Sequence, residues 1–539
     1  MKKKFYVLLM TAAFATTSFA QSPTKGLAVK ADPDQPLITE QPAGTLYANY
    51  YGESAGHGSF YEGEDGKIEH FVVNDNGEVY LKDAVSSRLS NSWIKGQKTV
   101  GDTIVFQFPQ KYCIEQEKDY MYRPVGDPYP LYVWRMVKRG NDSWVVDETS
   151  QTVKYVMRND SLFRVDDYKT GVYLGLGKED GTWTKYCDFY NIWTKVNDPL
   201  VQLPQGVTPE SYNLAYSGMF GNEDSRIIQV AIDGNDFYMG NLAKQVPGAW
   251  VKGKIEGGKV VFAGKTYLGA CPDWNYHYYF SPMGYTRVKK GYFEEDSLYF
   301  VNELTFDYDA STKECWLDEK PNVLLGVNTG KNRINEPQLF YEPTIAPWQG
   351  KVGAPLNPDI YAFTPYDVQL GYGKMEVAFT EIIPDDSEDD YTPLDLAKLF
   401  YRIYFDDKLH VFTPDLYDVK ESMSDIPYTF HNGKDIRGTD YIRSIRFRAS
   451  GFKKVSIQFF LKDKDKVYSS DYVSYTVGED GKLTDDISPA SVSEESKRVL
   501  SVSYTDLSGR NVSNPMRGLY LKTVSYADGS RRTTKVVNR

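Results

Sequence analysis

The stretch "GEVYLKDAVSSRLSNSWIKGQKTVGDTIVF" (77–106) recurs later in the chain as "GNDFYMGNLAKQVPGAWVKGKIEGGKVVF" (234–262). Tyr80 aligns with Tyr238, Trp93 aligns with Trp250, and both copies contain the element W-[IV]-K-G. Further on, "VYLGLGKEDG" (172–181) recurs as "VLLGVNTGKN" (323–332). Self-similarity at a long, nearly fixed spacing indicates a duplicated structural unit. We therefore predict two copies of one β unit, over residues 46–203 and 209–347.

The composition and local patterns of both copies favour antiparallel β structure. The chain of 539 residues is 15% aromatic and contains 43 tyrosines. Short alternating runs are separated by Asn-Gly, Asp-Gly or Gly-Gly, which are typical of hairpin turns. We predict an all-β, modular fold in which each repeat is a barrel or a sandwich. A Pro-rich linker (348–358), a β-sandwich (359–480) and a small C-terminal β domain (488–539) follow.

The tryptophan of the W-[IV]-K-G element has two interpretations. It could be a platform for a ligand, or it could be a core residue shared by both copies. Because it lies at the same register in each copy, we interpret Trp93 and Trp250 as core anchors, each followed by a glycine turn.

The segments after these anchors diverge between the copies and are rich in aromatic residues, namely "YMYRPVGDPYPLYVWRM" (120–136) and "CPDWNYHYYFSPMGY" (271–285). Trp and Tyr rings on a rigid β scaffold can stack against the apolar faces of sugars, although they also pack ordinary sheets. The candidate binding residues are Trp134, Trp274, Tyr276 and Tyr278.

The N-terminus predicts export. "MKKKFYVLLMTAAFATTSFAQS" has three lysines, an apolar run and small residues before a cleavage site between Ala20 and Gln21. This pattern is typical of a secretory signal peptide over residues 1–20, with residues 21–45 as an N-terminal linker. No later stretch reaches the ~20 apolar residues of a transmembrane segment. The net charge of −11 argues against a nucleic-acid partner.

Four cysteines, Cys113, Cys187, Cys271 and Cys315, are far apart in the sequence and form no C-x-x-C motif. In an exported protein they could form one or two disulfides, with three complete pairings available, or remain buried thiols. The spacing leaves both alternatives open.

A search for catalytic and metal motifs finds little. There is no H-E-x-x-H zinc motif. "GVNTGKN" (326–332) is too short for a phosphate-binding loop, and we interpret it as a turn. The acidic run "DDSEDD" (385–390) lacks the register of a calcium loop, so we interpret it as a solvated loop. We predict no cofactor, no metal and no catalytic residue, and we lean against an enzyme.

The chain ends on "YTDLSGRNV…GLYLKTVSYADGSRRTTKVV", with short strand-like runs punctuated by turn residues such as Asp-Gly. This stretch resembles the C-terminal sorting domain of type IX secretion cargo from Bacteroidetes. The resemblance covers roughly the last 45 residues. It rests on the pattern D-x-x-G-R…G-x-Y…K-V, whose matching positions are Asp506, Gly509, Arg510, Gly518, Tyr520 and Lys535.

The resemblance implies recognition by the type IX secretion machinery and delivery to the cell surface at the outer membrane or to the extracellular medium. Residues 359–480 resemble the fibronectin-type-III-like sandwiches common in such surface proteins. The W-[IV]-K-G repeats are similar to segments of uncharacterised secreted proteins from the same bacteria.

Three function classes remain open at this stage. The first is a non-enzymatic binding or adhesion protein for a glycan or a host protein, since duplication can raise avidity without new chemistry. The second is a secreted glycoside hydrolase or peptidase with a site that no motif reveals, because paired carboxylates cannot be recognised from the sequence. The third is a structural protein of a surface assembly.

Overall fold

The computed structural model describes residues 30–57, 64–118, 124–140, 143–218, 223–290, 293–317, 322–335, 337–384, 391–439, 441–478, 481–485, 499–506, 512, 518–526 and 531–538. Within them the chain forms 41 β-strands and two short 3₁₀ turns, Tyr168–Thr170 and Leu396–Lys398. The prediction of an all-β fold is confirmed. Two compact units are present, one of Met1–Leu46, Ala55–Glu62 and Phe71–Asn191, the other of Tyr47–Ser54, Gly63–His70 and Ile192–Arg539.

The first repeat contains strands β1 to β12. They are β1 (Thr45–His57), β2 (Glu64–Val73), β3 (Glu78–Lys82), β4 (Trp93–Lys98), β5 (Thr103–Gln107), β6 (Gln110–Lys118), β7 (Pro124–Lys138), β8 (Trp144–Val146), β9 (Thr152–Arg158), β10 (Ser161–Arg164), β11 (Tyr173–Gly177) and β12 (Trp183–Lys195). Eight of them pair in the closed order β1-β2-β3-β4-β5-β9-β10-β12, with β12 returning to β1.

The second repeat contains strands β13 to β25. They are β13 (Glu210–Ser217), β14 (Glu223–Asp233), β15 (Asp236–Gly240), β16 (Trp250–Glu256), β17 (Lys259–Ala263), β18 (Thr266–Cys271), β19 (Tyr276–Phe280), β20 (Met283–Lys290), β21 (Phe293–Phe300), β22 (Glu303–Asp309), β23 (Glu314–Leu317), β24 (Val323–Asn328) and β25 (Gln338–Pro347). The closed order here is β13-β14-β15-β16-β17-β22-β23-β25.

The two closed rings have the same strand order, so each repeat is an eight-stranded antiparallel barrel. We call them barrel 1 and barrel 2. In both repeats, the chain that connects the fifth and sixth barrel strands begins with a hairpin. In the first repeat the hairpin is β6–β7, and β7 pairs with β11. In the second repeat the hairpin is β18–β19, and β19 pairs with β24. The predicted duplication is therefore confirmed, and a barrel is the form that it takes.

The glycine of the W-[IV]-K-G element lies in the middle of a strand and not in the expected turn. Gly96 pairs with Phe106, and Gly253 pairs with Phe262 on the next strand. A Cβ atom added to either glycine would lie 2.8 Å from the phenylalanine ring. Glycine is needed because the ring of the neighbouring strand covers the backbone at this point.

The lysine of the same element is also explained by its cross-strand partner. Lys95 pairs with Tyr80, and Lys252 pairs with Tyr238 in the second copy. The lysine ammonium lies over the tyrosine ring, at 5.9 Å from its centroid in the first copy and 5.4 Å in the second. An acidic residue two positions before the tyrosine completes the cluster in both copies.

The tryptophans of the element are packed to different degrees. Trp93 is 4% exposed, as expected for a core anchor. Trp250 is half-buried and lies against its cross-strand partner Gly240, where an added Cβ atom would be 2.7 Å from the indole ring. The two copies therefore share the position of the tryptophan but not its burial.

Apolar side chains fill the interior of barrel 2. Phe262 contacts Phe237, Phe280 and Phe306, each with ring centroids 5.9 Å apart. Leucine, isoleucine, valine and methionine residues of the other barrel strands are fully buried around these rings. Burial of this apolar area, at roughly 25 cal/mol per Å², is the main stabilising contribution.

The described residues between 359 and 485 form a β-sandwich. Its strands are β26 (Asp359–Asp367), β27 (Tyr372–Ala378), β28 (Ile382–Pro384), β29 (Tyr391–Pro393), β30 (Leu399–Phe405), β31 (Lys408–Leu409), β32 (Ile426–Pro427), β33 (Ile436–Thr439), β34 (Ile442–Phe447), β35 (Lys454–Asp463), β36 (Lys466–Ser469), β37 (Val473–Val477) and β38 (Leu483–Asp485). One sheet has the order β26-β27-β34-β33 and the other β31-β30-β35-β37-β38. Residues from both sheets share one buried core.

The C-terminal strands form a separate three-stranded antiparallel sheet with the order β39-β40-β41. These strands are β39 (Val499–Thr505), β40 (Gly518–Tyr526) and β41 (Arg531–Asn538). Leu521 of β40 is fully buried and packs with Ile382, Leu356 and Tyr441. The described C-terminal strands therefore form a sheet that contacts the sandwich.

We expect Gly96→Ala and Gly253→Ala each to destabilise the protein by about 1–3 kcal/mol, because the new methyl group must displace a packed phenylalanine ring. Lys98→Ala, at an exposed position at the end of β4, is the matched control and should change stability by less than about 0.5 kcal/mol. Urea denaturation followed by far-ultraviolet circular dichroism measures all three. Glycine variants as stable as the lysine variant would contradict the packing argument.

Candidate binding groove

The structure separates the four candidate aromatic residues. Trp134, on β7, is fully buried, and its Nε1–H donates to the carbonyl oxygen of Lys178 at 3.2 Å. Tyr278 is 3% exposed in the core of barrel 2, and Tyr276 is half-buried against that core. Only Trp274, at 39% exposure, presents its ring to solvent. Trp134 and Tyr278 are therefore core residues, since a buried ring has no free face for a ligand.

Trp274 lies in the tight turn between β18 and β19, and its neighbour Asp273 fixes that turn to the sandwich. The Oδ2 atom of Asp273 accepts a hydrogen bond from the backbone N–H of Gly438 at 2.8 Å. The Nε atom of Arg437 lies 3.4 Å from Oδ1 of the same carboxylate. Because the Asp273 side chain is only 2% exposed, these contacts hold the turn that carries Trp274 against the sandwich.

His431 adds a second contact at the same place. Its Nε2 atom donates to the carbonyl oxygen of Gln245 at 3.0 Å, since a carbonyl can only accept. Its Nδ1 atom lies 3.5 Å from Oδ2 of Asp273. Burial lowers the pKa of His431, and the nearby Asp273 carboxylate partly opposes that shift.

Two further polar clusters join barrel 2 to the sandwich. Lys244 forms an ion pair with Glu381, which also accepts a hydrogen bond from the hydroxyl of Tyr428 at 2.8 Å. Asp395, which is 5% exposed, accepts hydrogen bonds from Ser211 at 2.6 Å and from Gln229 at 2.8 Å. Carboxylates that are paired with groups of the other module in this way fix the relative position of two modules.

These clusters border a surface that we call the junction groove. One part is a cavity of about 160 Å³ lined by Tyr216, Asp224, Arg226, Asn241, Lys244, Glu381 and apolar residues of the sandwich. The other is a crevice of about 20 Å³ lined by Lys244, Gln245, Cys271, Trp274, Thr429, His431, Gly438 and Arg443. Lys244 lines both. The groove therefore combines one exposed indole with cationic, anionic and amide groups that can form hydrogen bonds.

His277, between two of the candidate residues, has a structural role. Its Nε2–H donates to the carbonyl oxygen of Tyr50 at 3.0 Å, and its Nδ1 accepts from the hydroxyl of Tyr267 at 2.9 Å. Burial lowers the pKa of His277 to about 4. The imidazole is therefore neutral across the physiological range and bridges two strands of its unit.

The stretch "GVNTGKN" (326–332), which we interpreted as a turn, begins as the end of β24 and leaves the strand after Asn328. The connection that follows binds a carboxylate of the chain itself. The Oδ2 atom of Asp65 accepts hydrogen bonds from the backbone N–H groups of Asn332 at 2.6 Å and Arg333 at 3.0 Å. Asp65 is fully buried, and burial raises the pKa of its carboxyl group. Lys331 forms an ion pair with Asp198 at 2.7 Å. The amides and the lysine of this turn are thus used within the fold.

A second motif-like stretch, "GESAG" (52–56), matches the G-x-S-x-G pattern of serine hydrolases, and sequence reasoning missed it. In those enzymes the serine occupies a sharp turn from a strand into a helix. Here all five residues lie within β1, and Ser54 is 2% exposed. Gly52 faces the Glu69 side chain, which an added Cβ would approach to 2.5 Å. The match therefore lacks the structural context that the motif requires.

All four cysteines are buried free thiols. Burial raises the pKa of Cys113 and Cys271 to about 11 and that of Cys315 to about 12. The spacing of the cysteines left disulfides and buried thiols open as alternatives, and the structure has buried thiols. Their raised pKa values disfavour the thiolate, which is the reactive form.

The structure describes only part of the sorting pattern. Asp506 follows β39, Gly518 and Tyr520 lie on β40, and Lys535 lies on β41. Gly509, Arg510, the cleavage site at Ala20 and Gln21, and the acidic run at 385–390 are outside the described residues. In the part of the chain that is described, no group of three His, Cys, Asp or Glu residues could hold a metal ion.

Sequence reasoning found Trp274 but missed the rest of the junction groove. Lys244 and Glu381 are 137 residues apart, and Asp273 and Gly438 are 165 apart. No local pattern links such positions, because the contact exists only once barrel and sandwich are folded.

Neither a scan against protein-family models nor a search of curated proteins finds a match to this chain. Among the described residues, no helix has the length and apolarity needed to cross a membrane.

We expect the stability of the protein to fall as the pH drops from about 6.5 towards 4, because the unfolded chain binds a proton that the buried imidazole of His277 does not. The loss from this residue should reach about 3 kcal/mol. His277→Gln should reduce this pH dependence, whereas Tyr267→Phe, which removes a hydrogen bond but no titrating group, should retain it. Urea denaturation at several pH values tests the difference, and equal slopes for the two variants would contradict it.

Proposed function

We propose that this chain is an exported surface or secreted binding protein and that the junction groove binds a glycan. Trp274 is the observation that carries the proposal, because it is exposed on a turn that its neighbour Asp273 holds in place. An indole supplies a flat apolar surface for a sugar ring. The groups along the groove supply the hydrogen bonds that a polyhydroxylated ligand requires.

The form of the scaffold supports binding at a surface. The interior of barrel 2 is filled by its own aromatic and aliphatic side chains. The polar clusters between barrel 2 and the sandwich fix the positions of residues that line the groove, so little ordering entropy is lost on binding. A host protein is the alternative partner, and a structural role in a surface assembly is the third outcome that the experiment distinguishes.

The test is a glycan array probed with the mature protein. We expect binding to at least one glycan class and at least a tenfold weaker affinity for Trp274→Ala, which corresponds to about 1.4 kcal/mol. Trp316→Ala is the matched control, since Trp316 is 41% exposed on β23 and is not a lining residue of the groove. No bound glycan, or equal losses for the two variants, would refute the proposal. Binding to extracellular-matrix proteins alone would favour the protein partner, and self-association in light scattering would favour the assembly role.

We also propose that residues 488–539 direct the protein through the type IX secretion machinery and that the sandwich belongs to the fibronectin-type-III-like class. The first proposal is supported by the resemblance of the C-terminal pattern and by the separate sheet that its strands form. The second is supported by the strand order, in which β26-β27-β34 oppose β30-β35-β37.

Removal of residues 488–539 should abolish surface display and release in a bacterium with a type IX system, and the truncated chain should accumulate in the periplasm. Cell fractionation and immunoblotting measure this. Fusion of residues 488–539 to a periplasmic reporter should export the reporter, which separates a sorting defect from misfolding. Normal export of the truncated chain would contradict the proposal.

A further inference from the structure

A ligand-sized cleft that shares no lining residue with the junction groove lies where the sandwich meets the C-terminal sheet. Its volume is about 560 Å³, within the range of roughly 300–1,000 Å³ that is typical of small-molecule sites. Three walls enclose it: the Pro-rich segment 354–358, the connection between β36 and β37, and the strands β40 and β41. We call it the acidic cleft.

Hydrogen bonds between the walls give the acidic cleft its shape. The side-chain oxygen of Asn357 accepts from the backbone N–H of Asp471 at 3.0 Å and so ties the Pro-rich segment to the sandwich. At the base of the cleft, the hydroxyl of Tyr475 donates to Oδ1 of Asp359 at 2.5 Å. The residues 348–358 that the sequence suggested as a linker are thus, in part, a wall of this cavity.

The residues that line the acidic cleft favour a ligand with a cationic group on an aliphatic chain. Asp359 and Asp471 line the cleft, and the lining residues whose side chains the structure describes include no lysine, arginine or histidine. Asp471 is exposed, and the hydrogen bonds that fix it involve its backbone, whose carbonyl oxygen accepts from the Ser470 hydroxyl at 2.9 Å and whose N–H donates to Asn357. The apolar part of the wall comes from Pro355, Leu356, Pro358, Val473 and Leu521. Carboxylates beside an aliphatic surface suit the head group and the methylene stem of a long basic side chain.

We infer that the acidic cleft binds a guanidinium or ammonium group carried on an alkyl chain. Such a group comes from an arginine or lysine side chain of a peptide or from a free polyamine. Ser469 and Thr533 also line the cleft, and the Thr533 hydroxyl shares one hydrogen bond with the hydroxyl of Thr523 at 3.0 Å. Because a hydroxyl group can both donate and accept, these two side chains can bond the backbone of a peptide, and we therefore assign the peptide as the ligand. This inference does not depend on the proposed glycan binding, because the two sites share no lining residue.

Isothermal titration calorimetry of the mature chain tests the assignment with three probes. Nα-acetyl-arginine amide carries the cation on a peptide backbone, Nα-acetyl-citrulline amide is its uncharged analogue, and spermidine is a free polyamine. We expect the arginine derivative to bind, the citrulline derivative to bind at least tenfold more weakly, and affinity to fall with added salt. Tighter binding of spermidine than of the arginine derivative would overturn the peptide assignment.

Two single-residue variants of the mature chain test whether the acidic cleft is the binding site, and one of them is a matched control. Asp471→Asn removes the exposed carboxylate of the cleft and should weaken binding of the arginine derivative at least fivefold. Asp465→Asn removes an exposed carboxylate from the turn between β35 and β36, outside the cleft, and should leave affinity unchanged. Equal affinity for the charged and uncharged probes, equal losses for the two variants, or no binding of the arginine derivative would each refute the inference.

Discussion

In each barrel, a phenylalanine ring of one strand lies directly against a glycine of the strand beside it. The pairs are Phe106 with Gly96 and Phe262 with Gly253. A side chain at the glycine would push the strands apart or force the ring out of the core, and a closed barrel has no free edge along which to relax. The closed ring of eight strands depends on this close approach of glycine and phenylalanine. The hairpins that branch from the ring, and the surfaces that they carry, depend on it in turn.

Duplication of this barrel allowed the two copies to diverge in their cores. Leu174 pairs with Asp188 in the first repeat, and the equivalent Leu325 pairs with Phe340 in the second. Asp188 is buried and accepts hydrogen bonds from the backbone N–H groups of Ser86 and Ser87, whereas Phe340 packs against Tyr216. At this position the first repeat uses a carboxylate that binds the backbone of a loop, and the second repeat uses an aromatic contact. The strand order of the two barrels is the same.

Much of the fold could be predicted from local patterns. Repeated anchors predicted the duplication, and turn residues between alternating runs predicted antiparallel strands. The W-[IV]-K-G glycine was wrongly interpreted as a turn, because glycine marks both turns and close backbone approach, and only the neighbouring strand distinguishes the two.

The candidate site was less accessible to sequence reasoning, since exposure is a property of the folded surface. Trp134 and Trp274 occupy aromatic segments of similar composition, yet the first is fully buried and the second is exposed. By itself the sequence determined the all-β class, the two copies and the ordered C-terminal strands, because hydrophobic alternation and turn residues act over a few positions. Only the tertiary structure decided which aromatic ring faces solvent and which distant charges meet around it. Those contacts join residues more than a hundred positions apart, and no local interaction specifies them.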